Sequence, residues 1–190
     1  MCTIYLIELS RRKFLERLYL KFPTLEDKQN VLDFKAEFLR SGQEMHGVGG
    51  LSRIDTYEEW FTKICNDTNE DTCTEGRVPS TLYLVYRKED DRLVGIIQIR
   101  HYLNQSLLNY AGHIGDCVRP SEQRKGYGTE QISLALVKCK LFGIKKVLMT
   151  CLAENIASAK TIIKNNGCLE NEVQHEEGLL QRYWIDLTSK

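Results

Sequence analysis

The chain has 190 residues, 42% hydrophobic and 27% charged, which is enough for one well-buried core and close to the balance of an ordinary globular protein. Its 26 basic and 26 acidic residues cancel, so no overall field favours nucleic acid or an anionic membrane, and any anion must be bound by a local site. No apolar run approaches the ~20 residues that span a bilayer, and the short apolar start, Met1 to Leu9, has its charges (Arg11, Arg12, Lys13) on the wrong side for a secretory signal.

The expectation is therefore a cytoplasmic protein forming a single domain over 1–190, with 1–15 as an N-terminal extension. The seven cysteines (Cys2, Cys65, Cys73, Cys117, Cys139, Cys151, Cys168) are odd in number and include no C-x-x-C pair, which fits neither a disulfide framework nor a zinc site. No metal is expected.

Taken in chain order, Thr3 to Leu9 is ambiguous, whereas Leu18, Leu20 and Phe22 alternate with Tyr19 and Lys21 and predict a first strand within Phe14 to Phe22. Thr24 ahead of Glu26 and Asp27 opens a helix in which Val31, Phe34, Phe38 and Leu39 keep helical spacing up to Gly42. Gly42 to Ser52 carries four glycines and reads as a loop of the length that often serves function. Asp55 or Thr56 caps a second helix with an apolar stripe of Tyr57, Trp60, Phe61 and Ile64, which forms core or lines a substrate pocket. Asn66 to Ser80 is a polar loop.

Thr81 to Tyr86 and Leu93 to Ile99 flank the charged run 87–92 and predict a β-hairpin. After the polar loop Asn104 to Asn109, Ala111 to Val118 predicts a fourth strand. Thr129 to Phe142 predicts a helix with Ile132, Leu136, Val137 and Leu141 on one face, stopped at Gly143. A buried strand (Lys145 to Leu152), a helix closed by Gly167 (Asn155 to Asn166) and two last strands (Cys168 to Gln174, Leu179 to Leu187) follow. A strand-helix-strand-helix unit between antiparallel hairpins predicts an α/β (α+β) fold, with a mixed, mostly antiparallel sheet of about six or seven strands flanked by about four helices.

Between the fourth strand and the helix after it runs Val118-Arg119-Pro120-Ser121-Glu122-Gln123-Arg124-Lys125-Gly126-Tyr127-Gly128-Thr129. At a helix N-terminus several amides lack intrahelical acceptors and the dipole is positive, so a phosphate is stabilised there. Gly126 and Gly128 let the backbone approach it, and Arg124 and Lys125 add charge at the rim. A dinucleotide fingerprint would need a further glycine ahead of this segment, and a Walker loop would need G-K-[ST]; both are absent.

Val118-x-Pro120, then Gln123-x-x-Gly126-x-Gly128 opening a helix, then Asn155-x-x-Ser158 opening the next, resembles the Gcn5-related N-acetyltransferase (GNAT) superfamily. The likeness covers approximately Phe22 to Leu187 and is sharpest from Ile114 to Gly167, where Ser121-Glu122 and Lys164-Asn165-Asn166-Gly167 resemble a bacterial branch of predicted acetyltransferases. The resemblance implies acetyl-CoA as cofactor. It implies that the backbone of Asp116, Cys117 and Val118 pairs with the pantetheine arm, and that Gln123, Arg124, Lys125, Gly126, Tyr127, Gly128 and Thr129 surround the pyrophosphate. Asn155 and Ser158 would reach the cofactor from the next helix, although both also suit a helix start.

The activity implied is direct transfer of acetyl to an amine of a small molecule or exposed peptide, with no nucleic acid or membrane partner; a homodimer is compatible with the sequence. Direct transfer asks the protein for proximity, a polarised carbonyl and a proton acceptor. His113 and Asp116 are the titratable candidates for the base, by their place on the fourth strand. Many relatives carry a tyrosine seven residues after the helix asparagine as proton donor; here Ile162 stands there, leaving Tyr102, Tyr110, Tyr183 or water. Cys117 has no neighbouring base signature for covalent catalysis. The same departure motivates the alternative of a non-catalytic acyl-CoA-binding or sensing domain. The acceptor would be chosen by Ser41 to Ile64 and Tyr102 to Tyr110, with Glu44, His46, Asp55 and His101 holding a cation or facing water.

Overall fold

The computed structural model describes residues 17–188. The Thr3 to Leu9 stretch, Cys2, the N-terminal extension and the predicted start of the first strand at Phe14 lie outside the described residues.

Among the described residues, seven strands form two antiparallel sheets. In the first, β1 (Leu18–Lys21), β2 (Ser80–Arg87), β3 (Arg92–Arg100) and β4 (Ile114–Val118) lie in sequence order. In the second, β7 (Gly178–Asp186) lies between β5 (Lys146–Leu152) and β6 (Cys168–His175). Four α-helices accompany them: α1 (Lys28–Ser41), α2 (Tyr57–Asn66), α3 (Tyr127–Leu141) and α4 (Ile156–Lys164). The helix starts were legible because side chains hold them. Thr56 Oγ1 accepts the Glu59 amide at 3.3 Å and Asn155 Oδ1 accepts the Ser158 amide at 3.0 Å.

The hairpin β2–β3 is the spine of the fold. Val94, Ile96, Ile97 and Ile99 are all fully buried, because both faces of β3 are covered. Ile97 and Ile99 join Ile132, Val147 and Ile162 in one core, while Ile96 joins Phe34, Phe38 and Trp60 in the other. Burying each such side chain contributes roughly 1.5–3 kcal/mol. Trp60 belongs to this second core, and its Nε1 donates to the Val48 carbonyl at 2.8 Å.

Three sequence expectations change. The sheet is split where a mixed sheet was predicted: β4 pairs only with β3, β5 only with β7, and every ladder among the described residues is antiparallel. Ala111 is not in a strand, because Leu107–Ala111 forms one π-helical turn and Gly112, at φ 67°, reverses the chain into β4. A Cβ at Gly112 would lie 2.4 Å from the Leu148 carbonyl oxygen, so glycine permits this close approach.

The predicted apolar faces hold in part: Val31, Phe34 and Phe38 of α1 and Ile132 of α3 are buried as expected, but three residues assigned to those faces are not. Leu39 (69% exposed), Val137 (55%) and Leu141 (75%) point to solvent. The buried side of α3 runs through Tyr127, Glu130, Gln131, Ile132, Ala135 and Cys139, a mixture of polar and small residues that hydrophobic periodicity does not mark.

Candidate active site

The site is assembled at the free edge of β4. Arg119 donates its amide to Val94 of β3 at 2.8 Å, so by the alternation of a strand the amide of Val118 points to the opposite edge, where no ladder partner exists among the described residues. β4 and β5 meet instead at one end. The His113 amide donates to the Leu148 carbonyl at 2.8 Å, and the Leu148 amide donates to His113 Nδ1 at 2.9 Å. Beyond that clasp the strands belong to different sheets, leaving backbone groups of β4 open to an extended ligand.

The loop after β4 is held by buried charge. Arg119 donates Nε to the Leu93 carbonyl at 2.7 Å and Nη1 to Glu37 of α1 at 2.9 Å, and Glu37 also accepts the Ser121 amide at 2.7 Å. Glu122, only 5% exposed, gathers Arg87 (3.0 Å), Arg92 (3.0 Å) and Lys125 (2.9 Å). These partners lower its pKa although burial acts against them. Gln123 Nε2 donates to the Val118 carbonyl at 3.2 Å and to Gln43 Oε1 at 2.7 Å, tying the loop to the segment after α1.

Arg124 (φ 62°) and Gly126 (φ 85°) then turn the chain into α3. The first bond there runs from the Glu130 amide to the Gly126 carbonyl at 3.2 Å, so the amides of Tyr127, Gly128 and Thr129 have no intrahelical acceptor. A Cβ on Gly128 would lie 3.7 Å from both Val118 Cγ2 and Thr161 Cγ2, which places the end of β4, the start of α3 and the flank of α4 together. Asn165 Nδ2 fixes the last pair by donating to the Thr129 carbonyl at 3.1 Å. The exposed Arg124 makes no hydrogen bond or ion pair among the described residues, whereas Lys125 is committed to Glu122 and Tyr127 is buried with its hydroxyl on Arg87 at 3.2 Å.

The titratable candidates have distinct settings. Burial, then the charge of Arg100, pushes His113 down to about 4, and its Nδ1 is occupied by the Leu148 amide. Burial pushes Asp116 up to about 6, against the hydrogen bond that Gln131 Nε2 donates to it at 2.6 Å. The amide oxygen of Gln131, Oε1, is buried without a hydrogen-bond partner among the described residues. Cys117 faces the α1 and α2 side, and burial raises its thiol far above the ordinary range, so it is not a ready nucleophile.

Asn155 spends its side-chain oxygen on the helix cap, and Ser158 lies half-buried one turn in, near Cys151. Ile162 is fully buried in the core, under Gly167, and offers no proton. Of the tyrosines, Tyr102 donates to Glu70 and Tyr183 to Gln181, while the exposed Tyr110 ring packs on His175. Glu44 and His46 form an exposed pair, and His101 shares a 2.8 Å hydrogen bond with Thr81; among the described residues no three acidic, histidine or cysteine side chains group as a metal site. Sequence reasoning passed over Glu37 and Gln131, whose roles depend on contacts 84 and 15 residues away.

The sequence profile of the acetyltransferase (GNAT) domain matches residues 17–168, and the chain belongs to that family. No curated protein sequence matches it significantly. Among solved structures it is similar to RimL, the ribosomal L7/L12 α-N-protein acetyltransferase in complex with coenzyme A, with TM-score 0.68 and 15% identity over 92% of this chain and 97% of that one. YncA of Salmonella typhimurium with acetyl-CoA matches with TM-score 0.63 and 12% identity, over 92% and 96%. The microcin C7 self-immunity acetyltransferase MccE with acetyl-CoA and AMP matches with TM-score 0.62 and 15% identity, over 92% and 95%. At these identities the likeness shows the fold.

Proposed function

We propose that the protein is an acetyl-CoA-dependent N-acetyltransferase, moving acetyl directly to an amine of a small molecule or an exposed peptide. The observation that carries this reading is the row of acceptor-free amides at the start of α3, set beside the unpaired edge of β4. The residues fit the cofactor. Amides from Lys125 to Thr129 and the uncommitted Arg124 would hold the pyrophosphate, and the backbone of Asp116 to Val118 would hold the pantetheine arm. When bound, acetyl-CoA supplies an activated acyl group; the outward amide of Val118 is the donor available to polarise its carbonyl.

Asp116 is the better base of the two candidates. At about 6 its pKa suits proton abstraction near neutrality, and Gln131 fixes its orientation. It would take the proton of the acceptor ammonium, directly or through water. His113, held near 4 and clasped to Leu148, serves as a strut between the sheets. With Ile162 buried, water protonates the leaving thiolate.

Ile162 is also the observation that favours a second reading, an acyl-CoA sensor without turnover. Release of free thiol from acetyl-CoA over a panel of amines separates the two. Amine-dependent release supports the transferase; saturable binding with no release on any amine supports the sensor.

A further inference from the structure

Gln131 on α3 is fully buried, yet its amide is satisfied at one end only. Nε2 donates to Asp116 Oδ2 at 2.6 Å, while Oε1 has no hydrogen-bond partner among the described residues. Oε1 rests against β3, 2.2 Å from where a Cβ of Gly95 would stand, and the Cys117 carbonyl oxygen borders the same space at 3.0 Å. Glycine at position 95 leaves the room that the amide occupies. A buried acceptor without a donor is costly, and this one shares its space with a second acceptor.

A carboxamide has nearly the same shape at both ends, so turning it about its last bond preserves the packing and exchanges donor for acceptor. In the turned state Oε1 would meet Asp116 and Nε2 would face the Cys117 carbonyl, whose oxygen has two lone pairs and can take a donor besides its ladder bond. That arrangement suits a carboxylic acid, which has an O–H to give. The observed one suits a carboxylate, which only accepts. Among the described residues no other side chain donates to Asp116. β3 places Ile97 opposite it, the Cys117 thiol and the Arg100 guanidinium lie toward the other face of β4, and His46, on the segment after α1, acts on it through its field.

We propose that Gln131 is a positioning residue whose amide turns over with the proton on Asp116: Nε2 holds the carboxylate in place before transfer, and Oε1 holds the carboxylic acid after it. The N–H bond of the acceptor ammonium breaks, an O–H bond forms on Asp116, and the amide turns; loss of that proton to water restores the starting state. The catalytic role rests on Asp116 being the base, whereas the turn itself is observable without turnover.

Nuclear magnetic resonance of the whole chain from about pH 4.5 to 7.5, with the Gln131 amide protons assigned through the bonds of their own side chain, reads the turn directly. The expected result is a through-space contact between those protons and the Gly95 Hα protons at low pH that is lost at high pH, with a midpoint near 6 shared by the Asp116 carboxyl carbon. In Asp116→Asn this pH dependence disappears. In the thiol-release assay Gln131→Met lowers kcat at least tenfold while KM for acetyl-CoA stays within about twofold, and Gly95→Ala, whose methyl takes the place of Oε1, does the same. A Gly95 contact that does not change with pH, or a folded Gln131→Met variant with wild-type kcat, overturns the proposal. Where the variants do not fold, the resonance result decides. An active Asp116→Asn variant would count against Asp116 as base, and no thiol release by the wild type on any amine would count against the transferase reading; either removes the catalytic role of Gln131, while a pH-dependent Gly95 contact still supports the turn.

Discussion

His113 and Leu148 exchange two hydrogen bonds, amide to carbonyl at 2.8 Å and amide to Nδ1 at 2.9 Å, and so join the two sheets at the point where they part. A side chain takes the place of the next ladder bond. The proposed cofactor cleft opens where the ladder stops.

Replacing His113 by alanine leaves the Leu148 amide buried and unpaired, at a cost of roughly 2–3 kcal/mol in chemical denaturation. The native state holds His113 near 4 against 6.5 for the free group, so the unfolded chain binds the proton more tightly. Its contribution to stability is complete above pH 6.5 and is lost as pH falls to about 4, a change on the order of 3 kcal/mol. Denaturation curves collected across that window should show the slope in the wild type and lose this component in His113→Ala.

Asp116 has the opposite sign. Its native pKa, near 6 against 3.8, means that the ionised carboxylate penalises the folded state, and that stability falls as pH rises from 3.8 to about 6. Asp116→Asn removes the charge and should stabilise the protein at pH 7 by roughly 1–3 kcal/mol. Its kcat/KM should fall by about 10²–10⁴, and the acid limb of the wild-type pH profile near 6 should disappear from any residual activity. A variant that is more stable and equally active would remove Asp116 from the role of base.

Glu122 anchors the loop proposed to hold the phosphates. Glu122→Gln keeps the shape but leaves Arg87, Arg92 and Lys125 without their shared carboxylate. The expected loss is about 2–4 kcal/mol of stability, measured by denaturant titration, together with a raised KM for acetyl-CoA. Because the folded Glu122 has a lowered pKa, the contribution of the wild-type side chain is present above its unfolded pKa and disappears as pH falls through the folded value.

Much of this arrangement was legible in the residues. The alternation of Leu18 and Leu20, the hairpin around 87–92, the caps at Thr56 and Asn155 and the glycines at the start of α3 are local signals, and the elements formed where those signals stood. The split sheet was not legible, because it depends on a histidine ring and a π-helical turn acting across 35 residues. The buried face of α3 was misplaced in part for a related reason: Glu130 and Gln131 are buried through partners on β1 and β4, while Val137 and Leu141 are left to solvent. Polar residues satisfied by distant partners carry no hydrophobic periodicity.

The central claim is that the turn from β4 into α3 holds the cofactor, and a calorimetric titration with acetyl-CoA tests it most directly. Gly128→Ala should behave like wild type in folding, since a Cβ there meets Thr161 and Val118 only at 3.7 Å. Gly126→Asp keeps a residue that tolerates the left-handed turn but sets a carboxylate beside the phosphates. The account predicts saturable binding at one site in the wild type, weakened at least tenfold by Gly126→Asp. No saturable binding by the wild type, or equal affinity in the Gly126→Asp variant, would contradict it.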